Sequence, residues 1–136
     1  MEFRYLFIVL IAVLVSVDCG PVHGADIYIV TRPDVKLVSG DIREIYLGDK
    51  EFSGNMRLVP IDNQAAQAEF AAKVLTMSLD RYNTLWTKKA FRDALNPPAV
   101  KTTDLEVLEF VKRTRGAVGY ISFAPRDKDV IVVGKF

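Results

Sequence analysis

Apolar residues recur along the chain with two periods, and the switches between them mark out the elements. ADIYIVT (Ala25 to Thr31) is rich in Ile, Val, Tyr and Thr and predicts a first strand. Arg32-Pro33-Asp34 breaks it. In DIREIYL the apolar residues Ile42, Ile45 and Tyr46 share one helical face, Ser39 stands where an N-cap is expected, and Gly48 is the stop. DKEFSGN predicts a loop, and MRLVPID a short strand ending at Asp62. QAAQAEFAAKVLTM is alanine-rich, with Phe70, Val74 and Met77 at helical spacing and Asp62 or Asn63 as the expected cap. A further helix starts near Ser78, carries Leu79, Tyr82 and Trp86 on one face, and ends before Asn96-Pro97-Pro98.

Thr103-Asp104-Leu105-Glu106 has the form of a capping box, in which Thr and Glu side chains satisfy orphan amides at a helix start. The helix it opens is expected to bury Leu108 and Val111. Lys112, Arg113 and Arg115 gather at its far end, where cations meet the negative pole of the helix dipole, and Gly116 suits a left-handed residue past the end. AVGYISF then predicts a strand with Gly119 inside it. Glycine weakens a strand, so Gly119 marks a close approach to the backbone, most simply by a helix laid over the sheet. DVIVVGKF predicts a last strand, apolar through its middle and therefore expected to be covered on both faces. This alternation of elements predicts a layered α/β domain with a mixed sheet.

The N-terminus follows a different pattern. MEFR is a short n-region with one arginine, and LFIVLIAVLVSV is an unbroken apolar run that stops at Asp18. A bilayer-crossing helix needs ~20 apolar residues, whereas the core of a secretory signal needs ~7–15. The run therefore predicts a signal peptide over residues 1–24, cut near Val22-His23-Gly24, with residues 25–136 as a single mature domain. The alternative is an uncleaved N-terminal anchor. Cys19 follows the apolar run as a lipidated cysteine would, but Asp18 stands where a small residue is required, so no lipid anchor is expected.

That leader contains the chain's only cysteine and only histidine, Cys19 and His23. The mature domain then has no thiolate nucleophile, no disulfide and no imidazole for base work or metal ligation. Residues 1–24 also hold Arg4, Glu2 and Asp18, leaving 17 basic against 15 acidic side chains, a net +2. That is too weak and too dispersed for a nucleic-acid footprint. Asp41 and Glu44 at a helix start read as dipole-complementing surface acids. Asp127 and Asp129 read as a solvated turn, and Tyr82 with Trp86 as core. No catalytic residue, metal site or cofactor is implied, and no enzyme is expected.

Three stretches occur in order: DIREIYLGDKEFSGNMRLVPID, AEFAAKVLTMSLDRYNTLWTKKAF with NPP behind it, and LEVLEFVKRTRGAVGYIS. As a set they resemble the second lobe of the phosphate-binding proteins that serve ABC phosphate importers, a periplasmic binding protein-like domain, over Ile27 to Ser122. The resemblance implies one lobe of a type II periplasmic binding protein, with helices on both faces of the sheet, and a place in the bacterial periplasm. It implies phosphate or another small oxyanion as ligand, held where the strand ending Pro60-Ile61-Asp62 turns into the next helix. Binding members of the family offer serine, glycine, threonine and a nearby arginine there. This chain reads Asp62-Asn63-Gln64-Ala65-Ala66-Gln67 instead. The candidate ligand-binding residues are thus Asn63, Gln64, Ala65, Ala66 and Gln67, as helix-start amides worth ~0.3–1 kcal/mol per anion contact and neutral side-chain donors. Implied partners are an ABC importer membrane subunit or another envelope protein, with a homodimer as a way to rebuild a two-sided cleft. The alternative reading is a protein-interaction domain that keeps the fold without a ligand.

Overall fold

The computed structural model describes residues 25–136. The predicted leader, its cleavage site, Cys19 and His23 lie outside the described residues. The chain runs β1 (Tyr28–Thr31), α1 (Asp41–Tyr46), β2 (Phe52–Ser53), β3 (Met56–Arg57), β4 (Val59–Asn63), α2 (Gln67–Lys73), α3 (Leu79–Asp93), β5 (Ala99–Lys101), α4 (Asp104–Arg113), β6 (Ala117–Ile121) and β7 (Ile131–Lys135). Five strands form one sheet in the order β5-β4-β6-β1-β7, and β2 with β3 make a separate hairpin. β4 runs parallel to β5 and β6, while β1 is antiparallel to β6 and β7, so the sheet is mixed as the alternation predicts.

Strand alternation sends side chains to opposite faces, and each face has its own helices. Ile27, Ile29, Val118 and Tyr120 face α1, α2 and α3, where they meet Ile42, Tyr46, Phe70 and Trp86. Val30, Ile61, Ala117 and Ile121 face α4 and pack on Val107, Leu108 and Val111. The first core is aromatic at its centre. Phe70 stacks on Tyr120 with ring centroids 3.9 Å apart, and Tyr46 meets Phe70 edge-on at 4.6 Å. The Tyr46 hydroxyl lies 2.9 Å from the carbonyl oxygens of both Ile61 and Val118, tying β4 to β6 from the helix side. Tyr46→Phe keeps the ring and removes this donor from two buried carbonyls. It is expected to cost about 1–2 kcal/mol, read as a lower urea midpoint at unchanged slope.

Several local readings hold. α3 starts just after Ser78, as expected, with the Ser78 hydroxyl accepting from the Arg81 amide at 3.2 Å, and the expected Thr103 cap of α4 accepts from the Glu106 amide at 3.2 Å. The Glu106 carboxylate turns back to the Thr102 amide at 2.9 Å. Gly48 and Gly116 take positive φ, and Gly119 lies directly under α4. Lys112 and Arg113 pair with Glu109 at 3.5 and 3.2 Å, so two cations at the end of α4 meet an acid of their own helix.

Other expectations are corrected. Ser39 does not cap α1; Gly40 occupies that position, and the Asp41 carboxylate takes the Val38 amide at 3.0 Å. Neither Asp62 nor Asn63 caps α2, whose N-cap is Ala66 with no side-chain bond. The DKEFSGN loop contains half of the β2–β3 hairpin, turned at Gly54. β5 was hidden behind the two prolines. β7 is not covered on both faces: it is an edge strand, with Ile131 40% and Val132 44% exposed. An apolar run has no periodicity to separate an edge from a centre.

Candidate functional site

The predicted site is the corner where β4 runs into α2. β4 delivers Asp62 and Asn63 to opposite sides of the sheet, and both are buried, 2% and 0% exposed. Asp62 points to the aromatic side. Its two oxygens accept from Tyr120 at 2.8 Å and Tyr82 at 2.9 Å, and Gln67 adds a further hydrogen bond. Burial dominates over these bonds and pushes its carboxyl up to about 6. The same burial, reinforced by the Asp62 charge, drives the hydroxyls of Tyr82 and Tyr120 well above their ordinary range.

Asn63 points to the α4 side. Its amide nitrogen donates to Asp104 at 2.5 Å and to the Tyr120 carbonyl at 3.0 Å. Ser122, just past β6, donates to the other Asp104 oxygen. Asn63, Asp104 and Ser122 therefore close the carboxyl ends of β4 and β6 with a polar network containing one carboxylate.

The turn after Asn63 spends its backbone donors inside the chain. The Ala65 amide donates to Asn63 Oδ1 at 3.1 Å, the Ala66 amide to the Asn63 carbonyl at 3.0 Å, and the Gln64 amide to the Lys101 carbonyl at 2.8 Å. Of the five candidate residues, Gln64 and Ala65 reach the surface and Gln67 is half-buried. Asn63 and Ala66 are buried. What this corner still offers a solute is the Gln64 and Gln67 side chains and the first-turn amides of α2, which no intrahelical carbonyl can satisfy. The local sequence offers Asp62 as a cap, whereas its bonds to Tyr82 and Tyr120, 20 and 58 residues away, leave no local signal.

The remaining candidates resolve simply. Asp41 pairs with Lys50 at 3.2 Å. Asp127 meets Lys112 at 3.5 Å, and Trp86 is buried with its indole donating to the Tyr46 carbonyl at 3.1 Å. Among the described residues no helix is long and apolar enough to cross a membrane.

No family model matches the chain, and no curated protein matches it in sequence. Solved structures do match its fold. One is described as a phosphate ABC transporter substrate-binding protein from Clostridium perfringens with bound phosphate: 18% identity, TM-score 0.59, over 80% of this chain and 45% of that one. Another is an ABC-type phosphate transport receptor from Vibrio cholerae: 16% identity, TM-score 0.49, over 80% of this chain and 46% of that one. The chain thus spans less than half the length of these structures, and what it shares with the Clostridium perfringens protein is a fold.

Proposed function

We propose that this chain is a secreted solute-binding-like module, built on one lobe of the design used by phosphate ABC importer binding proteins, and that its solute end is the β4–α2 corner. The observation that carries the reading is the fold likeness to a phosphate-bound substrate-binding protein over 80% of this chain. The leader pattern of residues 1–24 supports a periplasmic location, and an importer membrane subunit or another envelope protein is the matching partner. A small oxyanion at this corner would meet Gln64, Gln67 and the first turn of α2. Titration with phosphate and sulfate tests this: near-saturating phosphate is expected to raise the melting temperature by about 4 °C. No response at millimolar anion removes the oxyanion version.

A second reading is a protein-interaction domain that keeps the fold without the ligand. It is favoured by the internal use of the Gln64, Ala65 and Ala66 amides and by the carboxylates of Asp62 and Asp104 on either side of the corner. Recovery of one specific envelope partner from a periplasmic extract, with no anion response, is its expected signature. Light scattering separates a homodimer from a heteromeric complex.

A further inference from the structure

Asp62 is 2% exposed, yet its hydrogen-bond partners among the described residues are all neutral: Tyr82, Tyr120 and Gln67. A buried carboxylate is ordinarily paired with a cation or protonated. Asp62 also borders an open pocket of about 410 Å³ between α3 and β5. Trp86, Pro98 and Val100 form apolar walls, Phe91 stands at the mouth 91% exposed, and Asn83 adds a neutral polar edge. Among the described residues, no lysine, arginine or second acid lines it.

The register of α3 explains this. Tyr82, Trp86 and Ala90, with Asn83 and Thr87 beside them, turn a neutral stripe toward the pocket. Arg81, Lys88, Lys89 and Arg92 line a different pocket on the same helix. On β5, Val100 pairs with Asp62, whereas the next residue, Lys101, holds its ammonium over the Phe110 ring at 5.2 Å. The basic residues of both flanking elements thus line other surfaces, and none of them reaches the Asp62 carboxylate.

An ionised carboxylate has about four lone-pair sites. Tyr82, Tyr120 and Gln67 use three, leaving room for one more donor. A hard metal ion needs ~6 oxygen ligands, and this pocket supplies one carboxylate. A single N–H cation on an apolar stem fits the donor count and the walls; the Lys89 ammonium already lies over the Trp86 ring at 5.8 Å, so Trp86 contributes apolar wall. We propose that the α3–β5 pocket is a binding site for a small organic ammonium ion, with its charged N–H donating to Asp62 and its apolar stem lying between Trp86 and Val100. This rests on the solute-binding reading only in expecting a solute at this end of the lobe; it uses none of the amides of residues 64–66.

The probe is 2-phenylethylammonium chloride, titrated calorimetrically into the purified protein beside 2-phenylethanol and sodium phosphate. The ammonium ion is expected to bind at millimolar concentration or below, and the alcohol at least ~tenfold more weakly. Binding requires ionised Asp62. The titratable groups facing Asp62 are Tyr46 from α1, Tyr82 from α3 and Tyr120 from β6, all held protonated; Gln67 of α2 and Val100 of β5 are neutral. Affinity should therefore drop roughly tenfold between about pH 7.5 and about pH 5. Asp62→Asn should abolish it, with circular dichroism confirming the fold. Val100→Arg, which places a tethered cation on the wall, should compete with the probe even if the Asn variant does not fold. Equal binding of the alcohol, pH-independent binding, or no heat at about 10 mM probe overturns the proposal. A phosphate response without an ammonium response overturns it while upholding the oxyanion reading, and silence from both removes both.

Discussion

Alanine in place of Gly116 is expected to destabilise the domain by about 4 kcal/mol, more than alanine at Gly119. Gly116 holds φ at 80°, a left-handed conformation that costs an L residue about 1–2 kcal/mol. A Cβ there would overlap the carbonyl oxygen of Arg57, which is backbone and cannot rotate away. Relief requires β3 and the start of β4 to move. That strains the bond from the Val59 amide to the Gly116 carbonyl, 2.8 Å in the native fold, worth about 1 kcal/mol, and loosens packing beside it. At Gly119 the backbone is ordinary, and a Cβ would meet Val107 Cγ1 at 2.6 Å and Val111 Cγ2 at 3.1 Å. Both neighbours are β-branched and stiff at χ1, so α4 must lift slightly off the sheet, at about 2 kcal/mol. Urea unfolding of the two alanine variants checks the order. Equal effects, or a larger one at Gly119, would show that α4 packing governs this strand start and not the turn beneath Arg57.

The two glycines also show how far the sequence could be read. Gly116 and Gly119 each announce a constraint because only one residue type satisfies it, and both constraints are found where the pattern placed them. The capping residue Thr103 is legible for the same reason: a cap acts over three residues, within reach of a local motif. β7 fails because its apolar run reads the same whether its two faces are covered or open to solvent. Asp62 fails more instructively. As a short acid before a helical segment it satisfies every local rule for an N-cap, but Tyr82 and Tyr120 compete for its oxygens from far along the chain. The helix it was expected to cap goes without a side-chain cap, and the carboxylate becomes a core residue. Tertiary hydrogen bonds outranked the local one, so the corner could be located from sequence while its charge environment could not.

That displaced carboxylate should govern the pH dependence of stability between about pH 4 and pH 6. Its folded value, about 6, lies above the ordinary 3.8, so the folded state binds a proton in this window that the unfolded chain has released. A group shifted upward contributes stability that is fully present below the unfolded value and lost as pH rises through the folded one. The loss amounts to about 3 kcal/mol. Asp41 and Asp93 are shifted the other way, by the Val38 amide and by Arg92 respectively, so their contributions vanish as pH falls below about 4, outside this window. Unfolding followed by the fluorescence of Trp86, the chain's single tryptophan, is therefore expected to show stability greatest near pH 4 and declining toward pH 7. In Asp62→Asn the slope should vanish, because the amide stays neutral and can still accept from or donate to the two tyrosine hydroxyls. The variant should then exceed the parent in stability at about pH 7.5 by about 2 kcal/mol. A parent curve that is flat or rising between pH 4 and pH 6 would mean that Tyr82, Tyr120 and Gln67 solvate the carboxylate as well as water does. The pocket beside it would then hold no unmet charge for an ammonium ion to offset.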